Sequence, residues 1–257
     1  MKTISLFKVS AVCVLLAALI VLMSLGALTI GSADYSLKQI ADAVIYGAEG
    51  PVQIVVYNLR LPRIIMALEV GACLAVAGAL LQSVMRNPLA DPGIIGVSAG
   101  AATAATTILL LYPAMLSAVP LFAFGGASLA CVLIYILAWH DGVDPVRIIL
   151  SGVAINTVLG AYNAFLQMLN SDNLSNVLAF MNGSLSGCNW EQIYVISAYS
   201  LIGLICGFAC IKSANILQLG DEMASGLGVN VSRVRILLSA VGAFLAAATV
   251  SVAGMIG

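Results

Sequence analysis

The chain has 257 residues, of which 62% are hydrophobic and 8% are charged. A soluble domain carries about 25% charged residues, so ten basic and eleven acidic side chains are too few to cover a water-facing surface. The composition therefore indicates an all-α, polytopic membrane helical bundle. A net charge of −1 without a basic run excludes a nucleic-acid binder. A single histidine excludes a His-rich metal site, and no metal or cofactor is expected. No G-x-x-x-x-G-K-[ST] occurs, so the chain does not bind nucleotide through a P-loop. Most of the six cysteines lie in apolar runs and read as small buried hydrophobes.

A spanning helix needs roughly 20 mostly apolar residues. The first candidate covers 9–30, preceded by Lys2 and Lys8. Its apolar run is long for the core of a signal peptide, which favours a retained helix. Residues 31–50 are polar. Within them, 36–46 patterns as a surface helix with Leu37, Ile40, Ala41, Val44 and Ile45 on one face. Further spans are predicted over 62–84, 94–111, 121–139, 145–169, 193–211 and 236–256. Polar segments 85–93, 140–144, 170–190 and 212–235 separate them.

Seven spans put the two ends on opposite sides. Placing the N-terminus inside puts Lys2, Lys8, Arg86, Arg147, Lys212, Arg233 and Arg235 on the inner face, against Lys38, Arg60 and Arg63 on the outer. The excess of basic residues predicts a cytoplasmic N-terminus.

Three segments are more polar than their surroundings require. In Arg60-Leu61-Pro62-Arg63, two guanidiniums flank a proline expected to start the second span. They suit either snorkelling anchors or a bidentate clamp for carboxylates of a partner. In 82–100, Arg86, Asn87 and Pro88 break the second span and Asp91-Pro92-Gly93 turns the chain. Gly96, Ser98, Ala99, Gly100 and Ala101 then allow close helix approach. In 217–231, Asp221 and Glu222 open a short helix and Gly228 suits its end. A capped helix between two spans reads as a docking element or as a structured loop without a partner.

Five stretches, in chain order, carry a resemblance. They are RLPR at 60–63, VGACLAVAGALLQ at 70–82, RNPLADPGIIGVSAGA at 86–101, NGSLSGCNW at 182–190 and LQLGDEMASGLGVNVSRVR at 217–235. Together they resemble the FecCD-type permeases, membrane subunits of type II ABC importers for ferric siderophores, haem and cobalamin. The resemblance implies a single permease domain over 1–257 with a cytoplasmic coupling segment at 213–232. It implies ten spans in a complete member. SVAGMIG at 251–257 resembles the start of a motif that continues elsewhere with Phe-Val-Gly and a Pro-His pair. The chain is therefore read as a C-terminally truncated copy.

The same resemblance implies the partners: a second permease subunit, identical or paralogous, two ATP-binding cassette ATPases, an extracytoplasmic binding protein and the lipid bilayer of a bacterial or archaeal plasma membrane. It assigns Arg60 and Arg63 to binding-protein docking. Gly220, Asp221, Glu222, Ala224, Ser225, Gly228 and Val229 are assigned to ATPase coupling. Arg86, Asn87, Pro88, Asp91 and Pro92 form a structural and gating loop. No residue is catalytic, since ATP hydrolysis belongs to a separate subunit.

Glu69 departs from the family pattern. A carboxylate inside a span is costly, and it suits either a pathway contact or pairing with a polar neighbour. Asn156 and Asn163, seven apart, share a helix face and suit either the pathway or interhelical hydrogen bonds. An ion-gradient-driven secondary transporter is the alternative class; it would need midplane ionisable groups, of which Glu69 alone qualifies. An integral-membrane enzyme would need a cluster of reactive side chains at membrane depth, and the sequence shows none.

Overall fold

The computed structural model describes residues 6–31, 33–46, 50–140, 142–170 and 174–256. Among these, helices dominate. They are α1 (Leu6–Thr29), α2 (Leu37–Ile45), α3 (Pro51–Val55), α4 (Leu61–Met85), α5 (Val97–Leu111), α6 (Val119–Ala138), α7 (Pro145–Leu169), α8 (Leu174–Asn182), α9 (Trp190–Ala209), α10 (Ile211–Gln218), α11 (Asp221–Gly226) and α12 (Val231–Ala253). A π-helical turn, Val56–Arg60, joins α3 to α4, and 3-10 turns occupy Pro92–Ile95 and Pro113–Ala118. Among the described residues, six helical runs are long and apolar enough to cross a membrane: Phe7–Thr29, Pro51–Met85, Pro113–Ala138, Pro145–Leu169, Trp190–Ala209 and Val231–Ala253.

The third predicted span is shorter than expected. Gly96 adopts φ 78°, a left-handed conformation that favours glycine, and splits the segment into a 3-10 turn and the fifteen-residue α5. At 1.5 Å per residue α5 is only about 22 Å long, so the turn before it must contribute to any crossing.

The chain divides into two compact units, Met1–Ala67 with Ser186–Ile193, and Leu68–Leu185 with Tyr194–Gly257. In the first, α2 carries a capping box: Ser36 Oγ accepts from the Gln39 amide, and Gln39 Oε1 accepts from the Ser36 amide. Its buried positions are Ile40 and Ala43. Leu37 and Ile45, expected on the same apolar face, are exposed. Pro62 does not start a helix, as the sequence suggested. The helical run begins at Pro51, and the π-turn just before Pro62 lets Leu61 N–H reach the Val56 carbonyl. A proline inside a helix loses one hydrogen bond and crowds the carbonyl four residues back. The widened turn takes up that crowding.

In the second unit α12 is innermost. Leu238, Leu245, Ala246, Ala247, Ala248 and Val250 are buried, and its faces meet Ala77 and Leu81 of α4 and Gly203 of α9. The tightest crossing is α5 on α6. A Cβ on Gly100 would strike the Gly126 carbonyl, and one on Gly126 would strike the Gly100 carbonyl. Small residues supply van der Waals contact where lipid leaves little hydrophobic drive between helices. The segment 170–190, read as polar, contains α8, whose Val177 is buried. The segment 212–235 holds two short helices rather than one, and α12 starts at Val231, five residues earlier than predicted.

Candidate functional site

Three turns of the second unit meet at one end of its bundle: the one after α4, the one before α7 and the one carrying α11. The first is built locally. Arg86 has φ 48°, the one left-handed non-glycine backbone among the described residues. It ends α4 as a glycine usually would, and the Asn87 amide bonds back to Gln82 O. Asn87 Oδ1 then accepts from the Leu89 amide at 2.9 Å, and Asp91 Oδ1 accepts from the Gly93 amide at 2.6 Å. These side-chain turns free the chain from helix and launch the 3-10 turn at Pro92. Pro88 and Leu89 are left exposed.

α11 is a single capped turn. Asp221 and Glu222 occupy its positive end. Its C-terminus is a Schellman stop: Val229 N–H reaches Ala224 O, Gly228 N–H reaches Ser225 O, and Gly228 has φ 80°. Ala224 is fully buried, while Glu222, Ser225 and Gly228 are exposed. Gly220 and Val229 are half-buried. Met223 and Leu227, one turn apart, are 63% and 62% exposed, so the outward face is apolar with an acidic edge.

Asp221 is already engaged within the chain. Its Oδ1 accepts from Arg235 Nη2 at 3.0 Å and lies 3.7 Å from Arg86 Nη2. Arg235 is 2% exposed, and its Nη1 donates to the Val143 carbonyl. Sequence reasoning counted Arg235 only as an interfacial charge. Its position in the first turns of a long apolar run, fourteen residues after Asp221, was the available signal.

In the first unit the two arginines separate. Arg60 donates to the carbonyls of Leu28 (2.7 Å) and Ala33, and its guanidinium lies 5.3 Å from the centre of the Tyr35 ring. It therefore satisfies one carbonyl in the last turn of α1 and one in the segment that follows it. Arg63 is exposed. Nearby, Trp190 Nε1 donates to Tyr57 O at 3.1 Å with the two rings 5.0 Å apart. Burial pushes the Cys188 thiol above its ordinary range, and the Arg63 guanidinium partly opposes this.

The remaining polar groups face neighbouring helices. Glu69 Oε1 accepts from Ser197 Oγ of α9 at 2.5 Å, while Oε2 is buried without a partner among the described residues. Asn156 Nδ2 donates to Gly93 O at 3.0 Å, and Asn163 Nδ2 to Thr103 Oγ1 at 3.2 Å. Both asparagines thus tie α7 to α5 or the turn before it.

Residues 15–257 match the FecCD transport family. The chain belongs to this family. It is 37% identical over 244 residues to the Fe(3+)-citrate import system permease protein YfmD of Bacillus subtilis (strain 168), which covers 95% of this chain and 73% of that one. It is 38% identical over 213 residues to the cobalamin import system permease protein BtuC of Halobacterium salinarum, covering 82% and 58%. Among solved structures it resembles an inward-facing, proposed metal-chelate type ABC transporter, with a TM-score of 0.86, 27% identity, and coverage of 96% of this chain and 77% of that one. The FecCD chain is accordingly a multi-pass membrane protein, a permease subunit of an ABC importer, with nucleotide hydrolysis belonging to another subunit.

Proposed function

We propose that this chain is the membrane subunit through which an iron chelate, a ferric siderophore or ferric carboxylate, passes into a prokaryotic cell. Haem and cobalamin are the competing cargoes. The supporting observation is the family match over 15–257, joined to a capped α11 with an outward apolar face, set between the short α10 and the long α12. A second permease subunit would complete the pathway, and a binding protein would deliver the chelate. Two P-loop ATPases would drive alternating access as a shift between outward-open and inward-open populations.

In this reading the N-terminus is cytoplasmic, and 213–232 is the coupling segment of a single permease domain. Met223 and Leu227 seat against the ATPase while Glu222 and Ser225 border them. Asp221, Gly220, Gly228 and Ala224 shape and hold the helix rather than touch the partner. Arg86 to Pro92 form the structural loop beneath it. Arg63 meets acidic residues of the binding protein, and Arg60 positions the chain beside it. Glu69, Asn156 and Asn163 join helices.

The test is uptake of labelled ferric citrate, ferric hydroxamate, haem and cobalamin in a host stripped of its own chelate permeases. The chain is supplied with an ATPase subunit and a binding protein of a FecCD-family importer. Chelate uptake that disappears with the ATPase supports the importer. Uptake that survives ATPase loss and collapses with an uncoupler would establish the ion-gradient alternative instead.

A further inference from the structure

Asp221 is one carboxylate serving two guanidiniums that come from different elements. Arg235 belongs to the second turn of α12 and is 2% exposed. Its fork bonds in two directions, to Asp221 at 3.0 Å and to the carbonyl of Val143, the residue before the Asp144 cap of α7. Arg86 ends α4 and approaches the same Oδ1 at 3.7 Å. The first residue of α11 is thereby joined to the ends of three long helices, α4, α7 and α12.

An apolar side chain of similar volume would fill the Arg235 site without desolvating a charge, and such replacements are often neutral or stabilising. Arg235 even leaves its buried Nε without a partner among the described residues. What only a guanidinium supplies there is a rigid fork reaching a carboxylate and a carbonyl at once. The two joints also differ. The Arg235 pair is buried on one side and short, whereas the Arg86 pair is long, with side chains 40% and 42% exposed.

We propose that Arg86, Asp221 and Arg235 are positioning residues that make α11 move as one piece with the ends of α4, α7 and α12. This rests on the coupling role proposed above. A push on the outward face of α11 reaches three helices through one carboxylate, with Arg235 as the stiff joint and Arg86 as the compliant one. Hydrogen-bond and salt-bridge networks joined to rigid helices are among the structures that carry such a displacement.

The experiment places nitroxide labels at exposed Gly226 of α11, where an added Cβ meets nothing within 4 Å, and at exposed Arg147 of α7, with Cys13, Cys188 and Cys206 replaced by serine. The label-to-label distance distribution is measured in the chain assembled with its ATPase, with and without ATP, alongside ATPase-subunit affinity. The wild type is expected to give one narrow distribution that ATP leaves unchanged. Asp221→Asn and Arg235→Lys are expected to broaden it about twofold while ATPase affinity stays within about twofold, because the seating face is intact. Arg86→Ala should broaden it less, and Asp221→Glu should restore the narrow form. Asp221→Asn with Arg86→Ala should be no worse than Asp221→Asn alone.

A narrow distribution in both Asp221→Asn and Arg235→Lys would overturn the linkage, as would multiplicative effects in the double variant. Should a variant fail to insert, Arg86→Ala and Asp221→Glu, at the half-exposed joint, carry the decision. Should the wild-type chain bind no ATPase subunit, the coupling reading falls. The linkage is then decided by the same distributions in the detergent-solubilised chain.

Discussion

Arg60 and Arg63 are three residues apart and identical in chemistry, yet their surroundings differ. Arg60 is occupied by two carbonyls and a ring face, whereas Arg63 is exposed. Arg63→Glu should weaken binding-protein affinity about tenfold at low salt, with the deficit shrinking as salt screens the contact. Titration of the binding protein at two ionic strengths checks this. Arg60→Ala should instead loosen the α1–α2 connection, read as faster proteolysis there, because the Leu28 and Ala33 carbonyls lose their donor. Cys188 offers a second probe of Arg63. Burial raises its thiol, and the guanidinium pulls it back toward the thiolate. Removing the charge should therefore shift maleimide labelling of Cys188 to still higher pH. Glu69→Gln should keep the Ser197 hydrogen bond, since an amide oxygen accepts as a carboxylate does. Unchanged uptake would accord with a helix-joining role, and lost uptake would return Glu69 to the pathway.

At the scale of elements, the α5–α6 crossing and the α11 turn were legible for different reasons. Gly96, Ser98, Ala99 and Gly100 announced close packing by their size alone, and Gly100 does meet Gly126 backbone to backbone. Gly100→Ala should destabilise the chain by about 1–3 kcal/mol, because backbone atoms cannot yield as a flexible side chain would. Gly125→Ala, one residue from the crossing, meets nothing within 4 Å and should be neutral or stabilising, given the helix propensity of alanine. Thermal unfolding in detergent compares the two. The α11 caps followed from local rules, Asp at the start and Gly at the stop. The start of α4 was misread for an equally local reason. Proline at a helix start is so common that Pro62 was taken for one, when the π-turn before it had already absorbed the ring.

For the whole molecule, topology is the property to measure. Cysteines at Lys38 and Glu222 should be labelled from opposite faces by a membrane-impermeant maleimide, Lys38 from outside and Glu222 only after permeabilisation. Labelling of Glu222 from outside would overturn the assignment of α11 to the ATPase. The match to relatives extends over 73% of the permease of Bacillus subtilis, so the α11 and Arg63 surfaces can be compared with it directly.

Composition, hydropathy and turn residues determined the membrane class, the apolar segments and the location of α11, because these depend on local solvent preference and local backbone chemistry. The family followed from five ordered motifs for the same reason: each is a contiguous string. What only the tertiary structure decided was pairing. That Arg235 is buried against Asp221 and Val143, that Glu69 meets Ser197, and that Asn163 meets Thr103 depend on residues 14, 92, 128 and 60 positions apart. Spacing along one chain carries no information about which distant helix will supply a partner. In a membrane the choice falls to packing geometry, since an apolar face is satisfied equally by lipid or by protein.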